Sequence, residues 1–406
     1  MTGMASSGRV DHAARLVPTL VRTESAVVVV HDGDSEDAQR YRSALAGSIS
    51  TFLDRMQRVA LADEVAAVCA LPAPALRELL APPPAPWSAV TTGGARNTLL
   101  LLAMIRGDSW YVQVDDDVVW PPLALPRRGM SSLATLPALP DLGGWRPVHL
   151  DRLLASPVVA GSRLVAAGVL GSPVGDAQAW RTWTDGASPD APVALACRPG
   201  RPSSSVPIGL VGTTFAVRVD EPLPPFLPWG RGQDTLFGYL LGRMGALEAL
   251  LPWVVVHQRP DEHPIHAVRD GAGYVTEAIA LLASQCPPER RRSLADLGDW
   301  LGGVVSDRSP MSLDAILREA WKRRWASEEE RARLLPPHRR AAVLGALDRA
   351  RADPVAHRPR ELRALPDGAL QLHAVVAAHA RHCSTWAALF ARRAALRSLC
   401  PMEAAP

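Results

Sequence analysis

The sequence predicts an open α/β fold on a mostly parallel sheet, followed by an all-helical extension. Three observations carry that prediction. From Ser25 to about Val119, short apolar β-branched runs alternate with segments of helical periodicity, the pattern of strands joined by crossover helices. One such run, Trp110–Val114, leads directly into three consecutive aspartates, Asp115, Asp116 and Asp117. Beyond about Gly273 the alternation stops and apolar residues recur at helical spacing.

In chain order, residues 1–24 read as an N-terminal arm with one short helix. Ala26–Val30 (AVVVV) is expected to form the first strand, ending in the polar loop His31-Asp32-Gly33-Asp34-Ser35. Tyr41, Leu45, Ile49, Phe52 and Met56 fall at helical spacing and predict a helix from Ala38 to about Arg58. Val59–Leu61, ending at Asp63, is read as the second strand and Ser88–Val90 as the third. An apolar helix over Arg96–Ile105 then precedes the fourth strand. Residues 120–205, rich in Pro, Gly and Ser, are expected as loops over one end of the sheet, where binding surfaces gather. Strand pattern returns at Ile208–Val219 and Val254–Val256, which sets the sheet domain at 25–270. The helical domain, 274–406, contains an amphipathic helix over Met311–Trp325 and a long last stretch over Leu370–Leu399. Its apolar faces suit core packing or a homo-oligomer contact rather than a membrane, because its polar faces carry both signs of charge.

The bulk properties exclude several classes. A chain of 406 residues with 48% hydrophobic and 21% charged residues is an ordinary globular composition. The N-terminal residues lack the apolar core of a secretory signal, and the runs Leu99–Ile105 and Leu247–Val256 fall far short of the ~20 residues that span a bilayer. A cytoplasmic protein without a transmembrane segment is the expectation. The net charge of +3, with its positive excess spread over residues 289–406, lacks the dense basic stripe of a nucleic-acid binder. Five scattered cysteines with no CxxC pair indicate neither a disulfide framework nor a zinc site.

The chemistry concentrates at YVQVDDDVVW, residues 111–120. Alternation along a strand sends Asp115 and Asp117 to one side. Carboxylates this close repel unless a cation neutralises them, and hard divalent ions prefer such oxygen ligands. In open α/β sheets the ligand crevice lies outside the carboxyl ends of the strands. A solvated acidic turn is the plain alternative. Upstream, Gly93-Gly94-Ala95-Arg96-Asn97 opens the apolar helix. Its glycines allow a tight turn, and its start, with Arg96, offers an anion site for a diphosphate.

An Ala-Arg-Asn helix followed by Gly-Asp and an apolar strand ending in an aspartate cluster resembles the donor-binding half of GT-A glycosyltransferases, the family-2-like nucleotide-sugar transferases in particular. The resemblance spans about residues 26–260. It implies a three-layer α/β sandwich, here with a C-terminal all-helical extension. Asp115-Asp116-Asp117 matches the family's Asp-x-Asp motif, Gly209–Gly212 its acceptor loop, and Gly232-Gln233-Asp234 its acidic motif, with Gln233 where the family often has Glu. By that resemblance Mn²⁺ or Mg²⁺ is held by Asp115, Asp117 and the late histidine His257, for which His263 and His266 are alternatives. Asp115, Asp116, Arg96, Asn97 and Asp63 contact the nucleotide-sugar donor. HDGDSED (31–37) is the alternative to Asp63, since it resembles the family's second-strand Asp-Asp-Gly-Ser motif. Asp234 is the base for an inverting transfer, its plain alternative being a helix cap. Trp229 either stacks on a sugar or simply packs. The acceptor, whether small molecule, glycan or protein, is not written in the residues. Two other functions share the pattern: a non-catalytic GT-A-like scaffold, and a sugar-phosphate nucleotidyltransferase, which lacks its Gly-rich Arg/Lys loop here.

Overall fold

The structure, a computed structural model, describes residues 1–6, 9–23, 26–33, 35–47, 51–85, 91–124, 146–147, 154–155, 163–170, 193–195, 214–230, 232–244, 248–257, 272–291, 293–307 and 368–399, with isolated helical positions between 315 and 348. Its strands are β1 (Thr2–Ser6), β2 (Val27–His31), β3 (Thr51–Leu53), β4 (Trp110–Asp115), β5 (Val118–Ala124), β6 (Arg146–Pro147), β7 (Leu164–Leu170), β8 (Val193–Leu195), β9 (Thr214–Arg218) and β10 (Glu248–His257). Its helices are α1 (Val10–Thr23), α2 (Ser35–Ala44), α3 (Arg55–Cys69), α4 (Ala73–Leu80), α5 (Thr92–Arg106), α6 (Gln233–Arg243), α7 (Ala272–Ser284), α8 (Leu294–Asp307), α9 (Gly368–Ala391) and α10 (Arg393–Leu396).

One sheet runs β3-β2-β1-β4-β9-β7-β10-β5-β6, with β8 beside β10. The first four strands are parallel, so their carboxyl ends meet at one edge. Strand β9 runs antiparallel to β4 and to β7. Helix α1 covers one face: Val10, Ala13, Val17 and Leu20 pack on Met4, Val27, Val29, Val112 and Val114. Helices α3, α4 and α5 cover the other, packing on Ala5, Val28, Val30 and Tyr111. This is the expected three-layer α/β sandwich.

The N-terminal residues are not an arm. They supply β1, which pairs with both β2 and β4. A strand buried on both faces need not alternate, and this one uses small residues because neighbours lie close. A side-chain carbon on Gly3 would come within 2.7 Å of Leu99 and Tyr111. AVVVV is therefore the second strand, and His31-Asp32 stands at its carboxyl end.

The helix expected over Ala38–Arg58 is instead α2, a turn, β3 and the start of α3. Gly47 sits at φ +74, a conformation open to glycine at no steric cost, and breaks the helical run. Asp54 then starts α3 with a reciprocal capping box: its side chain accepts from the Gln57 amide at 2.9 Å, and the Gln57 side chain accepts from the Asp54 amide at 3.0 Å. Val59–Leu61 is consequently helix and not strand. Ser88–Val90 lies outside the described residues, as do Gly209–Gly212 and most of 120–205.

The described residues from Ala272 onward are helical or connecting turns, as the sequence predicted, and no described helix is long and apolar enough to cross a membrane. The extension does not stand apart from the sheet. Cys383, Trp386, Leu389 and Leu396, from α9 and α10, lie in the core that α3, α4 and α5 share with the sheet. Helices α7, α8 and α9 form a further core with Leu227, Trp229, Leu236 and Leu240. Ending the chain at residue 367 would expose these faces. Trp386, Leu389 and Leu396 alone, each fully buried, contribute ~1.5–3 kcal/mol apiece, so the loss is roughly 5 kcal/mol or more. Thermal melts and size-exclusion chromatography should find the truncated chain aggregated or melting well below the full chain. Equal melting of a monodisperse truncated chain would contradict this shared core.

Candidate active site

Strand alternation explains where the first aspartate goes. Tyr111 faces the α5 side and Val112 and Val114 the α1 side, so Asp115 points toward α5. There Arg96 donates to Asp115 Oδ1 at 3.0 Å, and Gln113 Nε2 reaches the same oxygen at 3.4 Å. The strand ends at Asp115, and Asp116-Asp117 form the turn into β5, so alternation stops. Asp117 accordingly joins Asp116 on the α1 side, where the sequence expectation had paired it with Asp115.

Residues at the carboxyl end of β1 receive this turn. Ala5 pairs with Asp115, which brings Ser6 alongside Asp116. Ser6 donates to Asp116 Oδ2 at 2.5 Å, Tyr41 hydrogen-bonds Ser6, and the Arg9 amide donates to the Tyr41 oxygen at 2.8 Å. Burial pushes the Tyr41 hydroxyl up to about 12, so it serves this chain as a neutral group. The Arg9 guanidinium reaches Asp116 Oδ1 at 3.2 Å and also pairs with Asp117 Oδ2. Arg9 had no place in the sequence reading. Its only signal there was a cation just ahead of a helix start.

Arg96 links this turn to a distant part of the chain. Burial alone would favour its neutral form, but Asp115 and Asp234, with the hydrogen bond to Asp115, outweigh it and raise its pKa. Its guanidinium also lies over the Phe226 ring at 5.7 Å. Asp234 sits half-buried in the first turn of α6, whose cap is Gly232 with no side-chain cap bond. Asp234 is therefore not the capping residue.

Helix α5 and the segment 226–234 meet in a tight seam that sets this geometry. A side-chain carbon on Gly93 would come within 1.9 Å of the Leu227 carbonyl oxygen. Thr92 Oγ1 lies 3.4 Å from Gln233 Oε1, and Gln233 also donates to the Gly230 carbonyl. Fully buried Asn97 donates to the Leu79 and Phe226 carbonyls at 3.2 and 3.0 Å, and accepts from the Phe226 amide at 2.8 Å. The start of α5 is thus filled by protein instead of open to a diphosphate. Asn97 is a clamp, not a donor contact. Trp229 is likewise a packing residue, donating to the Pro83 carbonyl at 2.9 Å beside His382.

Asp63 lies away from all of this. It sits roughly two turns into α3 and pairs with Arg77 on the surface at 2.6 and 2.8 Å. The strand-end position belongs to Asp32, whose carboxylate takes Arg58 Nη1 at 2.7 Å and Thr91 Oγ1 at 2.5 Å. Strand pairing sets His257 opposite Val118, next to the acidic turn, while its side chain is outside the described residues. His263 and His266 are outside them too. Among the described side chains no group of three or more His, Cys, Asp or Glu forms a metal cage.

No protein-family model matches the chain, and no curated protein matches it. Among solved structures it is similar to a mycobacterial protein at 15% identity and TM-score 0.35, covering 70% of this chain and 73% of that one. S. aureus TarS 1–349 is similar at 12% identity and TM-score 0.34 over 88% of each chain. Mouse xyloside xylosyltransferase 1, in its apo form, is similar at 13% identity and TM-score 0.26, covering 54% of this chain and 67% of that one. The sheet itself has a parallel β3-β2-β1-β4 half, a reversed β9 beside β4, and an acidic turn at the carboxyl end of β4.

The seam makes a direct prediction. Asn97→Ala strips the partner from the buried Phe226 amide, and Gly93→Ala drives a carbon into a backbone oxygen. Each should cost ~1–3 kcal/mol in urea unfolding at unchanged m-value. A stability loss below about 0.5 kcal/mol for both would mean that α5 does not hold the 226–234 segment.

Proposed function

We propose that this chain is a glycosyltransferase that moves a sugar from a nucleoside-diphosphate donor to an acceptor hydroxyl, with inversion. The observation that carries the reading is Arg96. It is paired with Asp115 at the end of β4 and under the influence of Asp234 at the start of α6, which joins two motifs far apart in the chain. An acidic turn and a carboxylate base serving one reaction centre need that convergence.

In this reading the donor lies over the carboxyl ends of β1, β2 and β4, by the acidic turn, where open α/β sheets take ligands. The donor set suits Mn²⁺ or Mg²⁺: the turn offers hard carboxylate oxygens, and Arg9 already holds positive charge on two of them. Because Asp115 faces Arg96 on the other side, Asp117 with Asp116 beside it, and His257 across from Val118, would hold the ion, which when bound would draw off the charge that builds on the departing diphosphate. Arg96 acts as a positioning residue, keeping Asp115 and Asp234 in register. The acceptor oxygen attacks the anomeric carbon as the bond to the diphosphate breaks, and the hydroxyl proton passes to Asp234. A single in-line attack inverts the centre.

Asp234→Asn tests this, because asparagine matches the shape and cannot take the proton. With labelled nucleotide sugars and Mn²⁺, kcat for donor hydrolysis or transfer should fall by at least ~10², at unchanged stability and nucleotide affinity. Near-normal turnover, or retained configuration in the product by NMR, would remove Asp234 as base. A wild-type protein that turns over no nucleotide sugar would favour a binding scaffold.

A further inference from the structure

We propose that Arg9 is an internal counter-ion that closes the acidic turn before the donor arrives and is displaced when a divalent cation loads. This rests on the metal-dependent reading above and goes beyond it, because it assigns a role to a side chain that the reaction does not use.

Arg9 lies between β1 and α1, and its position is fixed through the backbone. Its amide donates to Tyr41, so the side chain can swing without moving the chain. A single guanidinium nitrogen serves both Asp116 and Asp117, the bridging task a metal ion performs between two carboxylates. Exposure follows the same logic. The Arg9 side chain is 37% exposed, while those of Asp116 and Asp117 are 7% and 0% exposed. Arginine is thus the outer layer over Asp117, and an incoming ion meets it first.

The two carboxylates do not depend on Arg9 equally. Asp116 keeps its hydrogen bond from Ser6 when the guanidinium leaves, so the turn retains its shape. Asp117 loses its ion pair with Arg9 in that exchange. With Arg96 retained on Asp115, departure of Arg9 takes one positive charge from the turn, which a divalent cation replaces. Competition of this kind lowers affinity for the free ion and raises it once a diphosphate offers Arg9 another anionic partner.

Calorimetric titration of Mn²⁺ into the full chain, without nucleotide, tests the proposal. Arg9→Gln keeps a polar side chain and removes the charge; it should bind Mn²⁺ at least ~10-fold more tightly than wild type. Arg9→Lys retains the cation and should stay within a few-fold of wild type. A wild type that binds Mn²⁺ with an Arg9→Gln variant that binds it no better overturns the counter-ion and leaves the metal reading standing. If neither binds Mn²⁺, with or without UDP or GDP, both fall together. Removing the charge takes a counter-ion from buried carboxylates, so a measurement on wild type guards against a variant that does not fold. In arginine side-chain ¹⁵N NMR, Mg²⁺ should shift and narrow the Arg9 Nε–H signal while leaving that of Arg96 unmoved. An Arg9 signal unaffected at Mg²⁺ saturation overturns the proposal.

Discussion

Arg96 pairs with Asp115 at the end of β4 while Asp234, from a distant segment, adds to the charge that keeps it cationic, and the geometry of the candidate site depends on that pairing. A buried guanidinium needs close anionic partners to offset its desolvation. Asp115 meets that need directly, and the charge of Asp234 adds to it. The arrangement works only because α5 is clamped at its start. Gly93 lets the helix touch the Leu227 carbonyl, and Asn97 binds the Phe226 backbone on both its donor and acceptor sides. Segment 226–234 is thereby presented to the acidic turn at a fixed height.

Two terminal pieces complete this frame. β1 is the strand on which β2 and β4 both register, and through Ser6 and Arg9 it also receives Asp116 and Asp117. At the other end, α9 inserts Trp386 and Leu389 into the core under α3 to α5, and its His382 packs on Trp229 just ahead of α6. Fold and candidate site share these contacts, so a lesion in either end segment reaches the site through packing.

The α/β class, the helical extension, the place of Asp115–Asp117 at a strand end and that of Asp234 in the first turn of a helix were legible in the sequence. Each is a local pattern with a direct physical cause: an apolar strand running into carboxylates, a helix start, or a helical period. What was missed had weaker local signatures. β1 is short and rich in small residues because Leu99 and Tyr111 crowd it, so it lacks the branched run that marks β2. Asp63 drew attention because the capping box at Asp54 and Gln57 was passed over, which left α3 read as a strand. Asn97 looked like a ligand because a lone amide in an apolar helix has no local partner. Its partners are the backbone of residues 79 and 226. Arg9 is the clearest case, since only the folded register of β1 against β4 brings it to Asp116 and Asp117.

In the proposed function the turn at Asp115–Asp117 is the cation-dependent donor site. Crystals of the full chain grown with Mn²⁺ and either UDP or GDP, measured for manganese anomalous scattering, test it most directly. The account predicts an anomalous peak at the β4–β5 turn, with the diphosphate of one nucleotide against it and Asp234 facing the same space. A nucleotide bound away from that turn, or neither nucleotide bound at millimolar concentration, would contradict it.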